Sequence, residues 1–207
     1  MNGYNIKRIS GKETREFIRQ NHYSHSCHNG PMGWGLFWGK SMVGVIAFAT
    51  PGSENVRRSV FGEGYKNNVT ELHRLFIFDI GQKNIESWFI SRALKKLKKE
   101  KPHIWAVLSF ADSTEGHTGI IYQATNALYC GTTGKSKFWR DSNGALRHPR
   151  QNGHNVTSEE ALVMGWEPEY RNFKHRYLYL LPDSRQHKKW MMENLKLSII
   201  EYPKGEQ

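Results

Sequence analysis

Ser109-Phe110-Ala111-Asp112-Ser113-Thr114-Glu115-Gly116-His117-Thr118-Gly119-Ile120-Ile121-Tyr122, preceded by His103-Ile104-Trp105-Ala106-Val107-Leu108, decides how the chain is read. The first part has the composition of a buried strand, and the acidic, glycine-punctuated turn hands the chain to a short helix over about Thr118 to Asn126. Strand-to-helix junctions of this kind are where α/β folds place their chemistry. Working backwards, Ile85, Trp88, Phe89, Ala93 and Leu97 mark one helical stripe that Pro102 ends, with Arg92, Lys95, Lys96, Lys98 and Lys99 mostly outside it. Before that helix, Val69 to Phe78 alternates as a strand, with Thr70, Leu72, Arg74, Phe76 and Phe78 on one face and His73, Leu75 and Ile77 on the other.

Further out, Tyr4 to Ile9 is expected as a first strand and Lys12 to Asn21 as a helix started by Ser10 and Gly11. Met32 to Trp38 and Ser41 to Thr50, separated by Gly39-Lys40, have the spacing of a tight hairpin. Gly52 to Asn68 reads as a loop with one turn of helix. Toward the other end, Leu128 to Cys130 resumes extended structure, and Thr132 to Asn155 offers no regular period. Thr157 caps a short helix to about Met164, Arg171 to Leu181 is a late strand, and Asp183 to Leu195 a last helix.

The 207 residues suit one domain, spanning 1–207, with a basic loop insertion at about 132–155. Thirty Lys and Arg against nineteen Asp and Glu give a net charge of +11, which favours a polyanionic partner. The longest apolar run, Met42 to Ala49, is too short to cross a bilayer, and Met1-Asn2-Gly3-Tyr4 carries no hydrophobic targeting segment. A cytoplasmic protein without membrane association is expected. Cys27 and Cys130 stand far apart with no CxxC spacing, against a disulfide framework or zinc ribbon.

Four groupings carry candidate chemistry. Asp112, Glu115, His117 and Tyr122 put carboxylate, imidazole and phenol around one turn, suited to proton shuttling; the structural alternative makes Asp112 a cap and Tyr122 a core aromatic. His22, His25 and His28 lie at intervals of three in a loop, a pattern for a divalent metal or for plain exposed histidines. Arg74 shares a face with Leu72, so it requires an acidic partner or presents itself to a ligand, and strict alternation puts Glu71 opposite. Gly81-Gln82-Lys83-Asn84 opens the main helix, where free amides beside Lys83 form a candidate phosphate site or a simple turn.

Glu71-Leu72-His73-Arg74-Leu75, Asn84-Ile85-Glu86-Ser87, Ser109-Phe110-Ala111-Asp112 and Gly116-His117-x-Gly119-x-x-Tyr122-Gln123-Ala124-Thr125-Asn126 together resemble the Mom family of phage DNA-modification proteins. The likeness runs from about residue 20 to 180, with His22-Tyr23 and Arg147-His148-Pro149 also in order. It implies an α/β (α+β) fold like the GNAT acyltransferases: a central mixed, mostly antiparallel sheet flanked by helices. It implies transfer of a carbamoylmethyl-type group to adenine N6, shielding phage DNA from host restriction. Catalytic residues carried over are His22, Tyr23, Arg74, Asp112 and Tyr122, with ferrous iron as a candidate cofactor on His22 and Tyr23. The donor implied is acetyl-CoA or another acyl or aminoacyl carrier, with Gln82, Lys83, Asn84 and Ser87 as candidate contacts. This chain departs from the usual Gln/Arg-x-x-Gly-x-Gly/Ala coenzyme A loop, offering Gly81-Gln82-Lys83-Asn84-Ile85-Glu86-Ser87 instead.

The partner expected is double-stranded DNA, with a homodimer as one candidate assembly. Lys135, Lys137, Arg140, Arg147 and Arg150 are expected to touch phosphates. An adenine must leave the stack to react, so Tyr23 or Tyr122 would stack on the extruded base and Asp112 would accept from N6, while Arg74 holds negative charge. Two rivals remain: a conventional GNAT N-acetyltransferase acting on a protein or small amine, and a non-catalytic DNA-binding protein. Mass spectrometry of adenines separates them.

Overall fold

The computed structural model describes residues 3–151 and 154–203; Met1 and Asn2 of the N-terminal segment, Asn152 and Gly153 of the 132–155 stretch, and residues 204–207 lie outside it. Strand β1 (Tyr4–Ile9) leads into helix α1 (Gly11–Asn21), followed by the hairpin β2 (Met32–Trp38) and β3 (Ser41–Ala49). Helix α2 (Glu54–Phe61) and a 3-10 turn precede β4 (Val69–Ile77), α3 (Ile85–Glu100), β5 (Ala106–Asp112), α4 (Ile120–Gln123) and β6 (Leu128–Thr132). Then come β7 (Ser136–Arg140), β8 (Leu146–Arg147), β9 (Arg150–Gln151), β10 (His154–Asn155), α5 (Ser158–Val163), β11 (Glu167–Arg171), β12 (Lys174–Leu180) and α6 (Arg185–Asn194). Seven strands form one sheet in the order β1-β2-β3-β4-β5-β12-β6, antiparallel throughout except for the parallel pair β4-β5. This is the mixed, mostly antiparallel sheet flanked by helices that the resemblance implied. Among the described residues no helix is long and apolar enough to cross a membrane.

Local chemistry explains most of these elements. Ser10 and Glu13 form a reciprocal capping box at the start of α1, at 3.1 and 2.8 Å. The helix lies tight on β2: a Cβ at Gly33 would stand 1.9 Å from Thr14 Oγ1, so only glycine permits that approach. On α3, Phe89, Ile90, Ala93 and Leu97 are fully buried against Val107, Ile46 and Phe48. Each large side chain there contributes on the order of 1.5–3 kcal/mol of burial energy. The opposite face of the sheet is covered by α1 around Ile18 and Val45, and by α2 and α6 around Val60, Phe61 and Met191.

Two sequence expectations fail for identifiable reasons. Glu54–Phe61 makes two turns of helix, not one, because Val60 and Phe61 bury against Val69 and Met191. More consequentially, β4 does not alternate strictly. Ala47 pairs with Arg74 and Phe48 with Leu72, so His73 is an extra residue, a β-bulge. Beyond it the faces exchange. Leu75 and Ile77 join Leu72 on the α3 side, while Arg74 turns to the α1 side with Phe76 and Glu71.

The stretch 132–155 is not a loop. Strands β7, β8 and β11 make a three-stranded antiparallel sheet, β9 and β10 a second small ladder, and α5 closes the unit. Trp139, Val156 and Ala161 form its own small core with Trp166 packed against it. The insertion therefore extends to about residue 173, between β6 and β12.

Candidate active site

Strands β4 and β5 stay paired only from Val69↔Ala106 to Leu72↔Ser109. Past that point β4 continues beside β3 and β5 beside β12, so the two diverge and the sheet opens between them. The bulge at His73 sits where the opening begins. Arg74 projects from the β4 side, and its Nε donates to Ser24 Oγ at 3.0 Å and to the Ser26 carbonyl at 2.9 Å. Nη1 donates to the His73 carbonyl at 2.7 Å. Among the described residues Arg74 is ion-paired with no carboxylate, and Glu71 turns instead to His73, 3.5 Å away. A guanidinium held by neutral groups keeps its charge available to an anion.

The Ser24 loop is shaped by His22, the last residue of the α1 turn. Ser24 N donates to His22 Nδ1 at 3.1 Å, and Ser24 Oγ lies 2.9 Å from the same atom. A backbone N–H can only donate, so Nδ1 is the acceptor and a neutral ring carries its proton on Nε2. Burial, then the positive charge of Arg74, drives the imidazole pKa down to about 4. His22 is thus a neutral Nε2–H donor near pH 7. Its ring lies against Tyr23 at 4.3 Å and 30°. Tyr23, 53 % exposed, in turn meets His117 of the β5 turn edge-on at 5.8 Å. Burial and the charge of Asp112 push the Tyr23 phenol pKa up.

Asp112 ends β5. Its Oδ1 accepts from Thr114 N at 3.0 Å, so it does cap the turn, while Oδ2 meets Arg171 Nη2 at 3.3 Å and Lys174 Nζ at 3.4 Å. Burial alone would raise its pKa; Lys174, the Thr114 bonds and Arg171 outweigh that and hold it below the usual carboxylate value. Arg171 also bridges to Glu115 at 2.6 Å. Arg171 and Lys174 end and follow the insertion, some 60 residues along the chain, and sequence reasoning gave neither a role in the site. Their only local signal was two cations flanking the start of the last strand.

Tyr122 stands on the other side of the opening. It is buried in the α3-side core, 5.2 Å from Tyr177, and burial pushes its pKa far up, so the phenol stays protonated. Ser109 Oγ, on the α3-side face of β5, is buried beside this phenol, and its hydrogen bonding opposes the effect of burial on the Tyr122 pKa. Gly119 fixes the approach of α4: its φ is +85° and a Cβ would lie 2.3 Å from the Tyr177 ring. No hydrogen bond joins Asp112 to Tyr122; the carboxylate is held by cations of the insertion boundary and the phenol by the core. The structure brings together His22, Tyr23 and Arg74, sets Asp112 beside Tyr23, and puts the buried Tyr122 phenol within electrostatic reach of Tyr23, Glu71 and Arg74. Gln82, Lys83 and Asn84 are exposed at the start of α3, where Asn84 adopts φ +61° and makes no side-chain cap, with Ser87 Oγ bonded back to the Asn84 carbonyl.

The residues present do not supply a donor set for iron. Among the described residues no three His, Cys, Asp or Glu side chains are grouped to hold a metal ion, and His22 Nδ1 is already engaged by Ser24. The basic residues of the insertion are largely committed as well. Arg147 Nε binds Asp141 at 2.7 Å, and Arg140 Nε binds Glu169 at 2.6 Å. Lys137 donates to Ser158 at 3.1 Å and lies 4.0 Å over the Trp139 ring, whereas Lys135 is exposed and Arg150 lies in β9.

The family model described as the Mom protein family matches residues 3–204. This chain belongs to the Mom protein family. A relative, methylcarbamoylase mom of Escherichia phage Mu, is 34% identical over 128 residues, covering 61% of this chain and 53% of that protein. The chain thus spans about half the length of that curated relative. Among solved structures, an acetyltransferase of Bacillus subtilis in complex with CoA is similar at TM-score 0.50, with 10% identity over 86% of this chain and 97% of the other. The Salmonella typhimurium protein yncA with its cofactor acetyl-CoA also has TM-score 0.50, with 10% identity over 89% and 97%. At such low identity these two establish the fold of this Mom family member, a GNAT-like sheet, and nothing further.

Proposed function

We propose that this Mom family chain is a transferase that places a carbamoylmethyl-type group on adenine N6 of double-stranded DNA, protecting phage DNA from restriction in the host cytoplasm. The observation that carries the reading is the family match along residues 3–204, joined to a guanidinium with no carboxylate partner among the described residues, a neutral histidine and an ionised aspartate around the divergence of β4 and β5. An adenine amine is a weak nucleophile, since its lone pair is delocalised into the ring, and in a duplex it is also stacked. The base therefore leaves the stack, a cost of a few kcal/mol. The exposed Tyr23 ring offers a face for the extruded purine, and the ionised Asp112 is the acceptor for N6–H. Arg74 holds the negative charge that develops on the donor, and His22 Nε2–H is a second donor toward it.

An acyl-CoA-type donor is supported by the CoA and acetyl-CoA of the two similar structures. Here the uncapped amides of Ile85 to Ser87, with Gln82, Lys83 and Asn84, would hold its phosphates. Attack of N6 on such an activated acyl carbon breaks its bond to the carrier and releases the carrier, leaving an amide on N6. With a glycine-type aminoacyl group that amide, N6–CO–CH2–NH2, is an isomer of the carbamoylmethyl product, so the remaining step is a rearrangement that needs no added atom or oxidant.

The test is expression in a bacterium, digestion of total DNA to nucleosides, and mass spectrometry of the adenines. The wild type yields a new adenine species and resistance to restriction cleavage. Arg74→Ala lowers the yield by about 10²-fold or more, the usual effect of removing one charge-stabilising donor, and its melting temperature stays within a few degrees of wild type. Absence of any modified adenine in the wild-type strain overturns the function and leaves an ordinary acetyltransferase or a DNA-binding protein; full yield from Arg74→Ala overturns the site.

A further inference from the structure

At the end of the sheet remote from the divergent strands, where β3 finishes and β4 begins, lies a cavity of about 170 Å³. At ~30 Å³ per water it has room for about five waters, or one tetrahedral oxyanion with its remaining solvent. Val69 and Ile104 are among its walls, and its polar lining comes from Thr50, Arg57, Asn67, Thr70, Lys101 and His103. Among the described residues no carboxylate lines it. Two elements therefore contribute three cationic or imidazole groups to one small space: α2 gives Arg57, and the turn after α3 gives Lys101 and His103.

The local charge balance reinforces this. Arg57 Nη2 is 3.4 Å from Glu54, but that carboxylate is shared with Arg58 at 2.6 Å and Lys66 at 3.2 Å. Glu63 is likewise claimed by both Arg58 and Lys66. Three cations thus share two carboxylates, and Lys101 adds a fourth positive charge at the cavity. Arg57 Nη1 donates to Asn67 at 3.2 Å, yet Arg57 Nε is buried with no hydrogen-bond partner among the described residues. A buried guanidinium N–H left unpaired is costly, and an accepting oxygen removes the cost. Lys101 makes no ion pair among the described residues, although its neighbour Lys98 reaches Asp183 at 2.7 Å.

We propose that this cavity is an oxyanion site that takes a phosphate group, with Arg57 as the inner anchor and Lys101 and His103 at the mouth. It is separate from the catalytic cleft. Thr70 and Arg74 are four residues apart on β4, about 13 Å at ~3.3 Å per residue, and the bulge at His73 turns Arg74 to the opposite face. The phosphate is either a backbone phosphodiester of the DNA or a free phosphate or phosphorylated small molecule. The site does not rest on the base-modification reading, because its readout is binding alone.

The experiment titrates the purified chain with inorganic phosphate, followed by calorimetry and by the rise in melting temperature. The wild type binds saturably. The double variant Lys101→Ala/His103→Ala, which alters two exposed side chains and leaves the fold intact, binds roughly tenfold or more weakly, as does Arg57→Gln. Arg74→Ala, in the cleft, binds like the wild type. A duplex oligonucleotide that displaces phosphate assigns the site to the DNA backbone, and one that does not assigns it to a small phosphorylated ligand; both sustain the site. No saturable binding by the wild type, or equal binding by the wild type and the Lys101/His103 double variant, overturns it.

Discussion

Replacing Arg171 by methionine isolates the contact between the insertion and the Asp112 turn. Arg171 Nη2 meets Asp112 at 3.3 Å and Glu115 at 2.6 Å, with the arginine side chain 18% exposed and that of Asp112 10% exposed. Methionine keeps the apolar stem and removes the charge, leaving Asp112 with Lys174 at 3.4 Å and the Thr114 amide. Breaking a fully buried pair from one side costs about 3–5 kcal/mol. Because Lys174 is half exposed and remains, and because solvent screens the rest, about 2 kcal/mol is the expected loss. At 2–4 °C per kcal/mol for a chain of this size, the melting temperature falls by ~4–8 °C near pH 7. The folded pKa of Asp112 lies below its ordinary 3.8, so its ionisation stabilises the fold fully above 3.8 and the contribution fades as pH falls through the lower folded value. In Arg171→Met burial is opposed less and the folded pKa rises toward the ordinary 3.8, so the loss of stability as pH falls below 3.8 shrinks and the acid limb of the stability curve flattens. Urea denaturation between pH 3 and 8 reads both effects. The reasoning is refuted if the two proteins melt within 1 °C of each other and their stability-against-pH curves superimpose.

Three other outcomes follow from the same structure. Arg147→Ala lowers the melting temperature by freeing the buried Asp141 that organises the β7–β8 turn, whereas Lys135→Ala leaves stability alone and reduces the salt slope of DNA binding by about one unit; equal salt slopes for wild type and Lys135→Ala would remove Lys135 from the DNA surface. His22, with its pKa lowered from 6.5 to about 4, disfavours proton uptake in the fold, so stability present above pH 6.5 declines as pH drops toward 4. His22→Gln should flatten that decline in a pH series of thermal melts, and an unchanged decline would place its origin elsewhere.

Much of the fold was legible because its signals are local. The capping box at Ser10, the Gly39-Lys40 hairpin and the apolar stripe of α3 all appear within a dozen residues. Helix α2 was harder, since its apolar positions Val60 and Phe61 come only at its end and the rest is Glu, Asn, Arg and Ser. The insertion strands are two to five residues long, too short to show a period, and only Trp139, Val156 and Ala161 meeting in space make them a unit. The positive charge of 132–155 suggested a binding surface, yet Arg140 and Arg147 are bound by carboxylates, one of them at Glu169, outside that stretch.

The order of the elements outside the insertion and the family followed from sequence alone, because burial patterns and motifs are written along the chain. Three things did not. The bulge at His73 depends on pairing with β3, and it decides which face Arg74 occupies. The hold of Arg171 and Lys174 on Asp112 depends on β12 lying beside β5. The meeting of Arg57 with Lys101 and His103 depends on α2 and the end of α3 reaching the same corner of the sheet. Each rests on contacts between residues tens of positions apart, and those are fixed only when the sheet closes and every strand has found its neighbour.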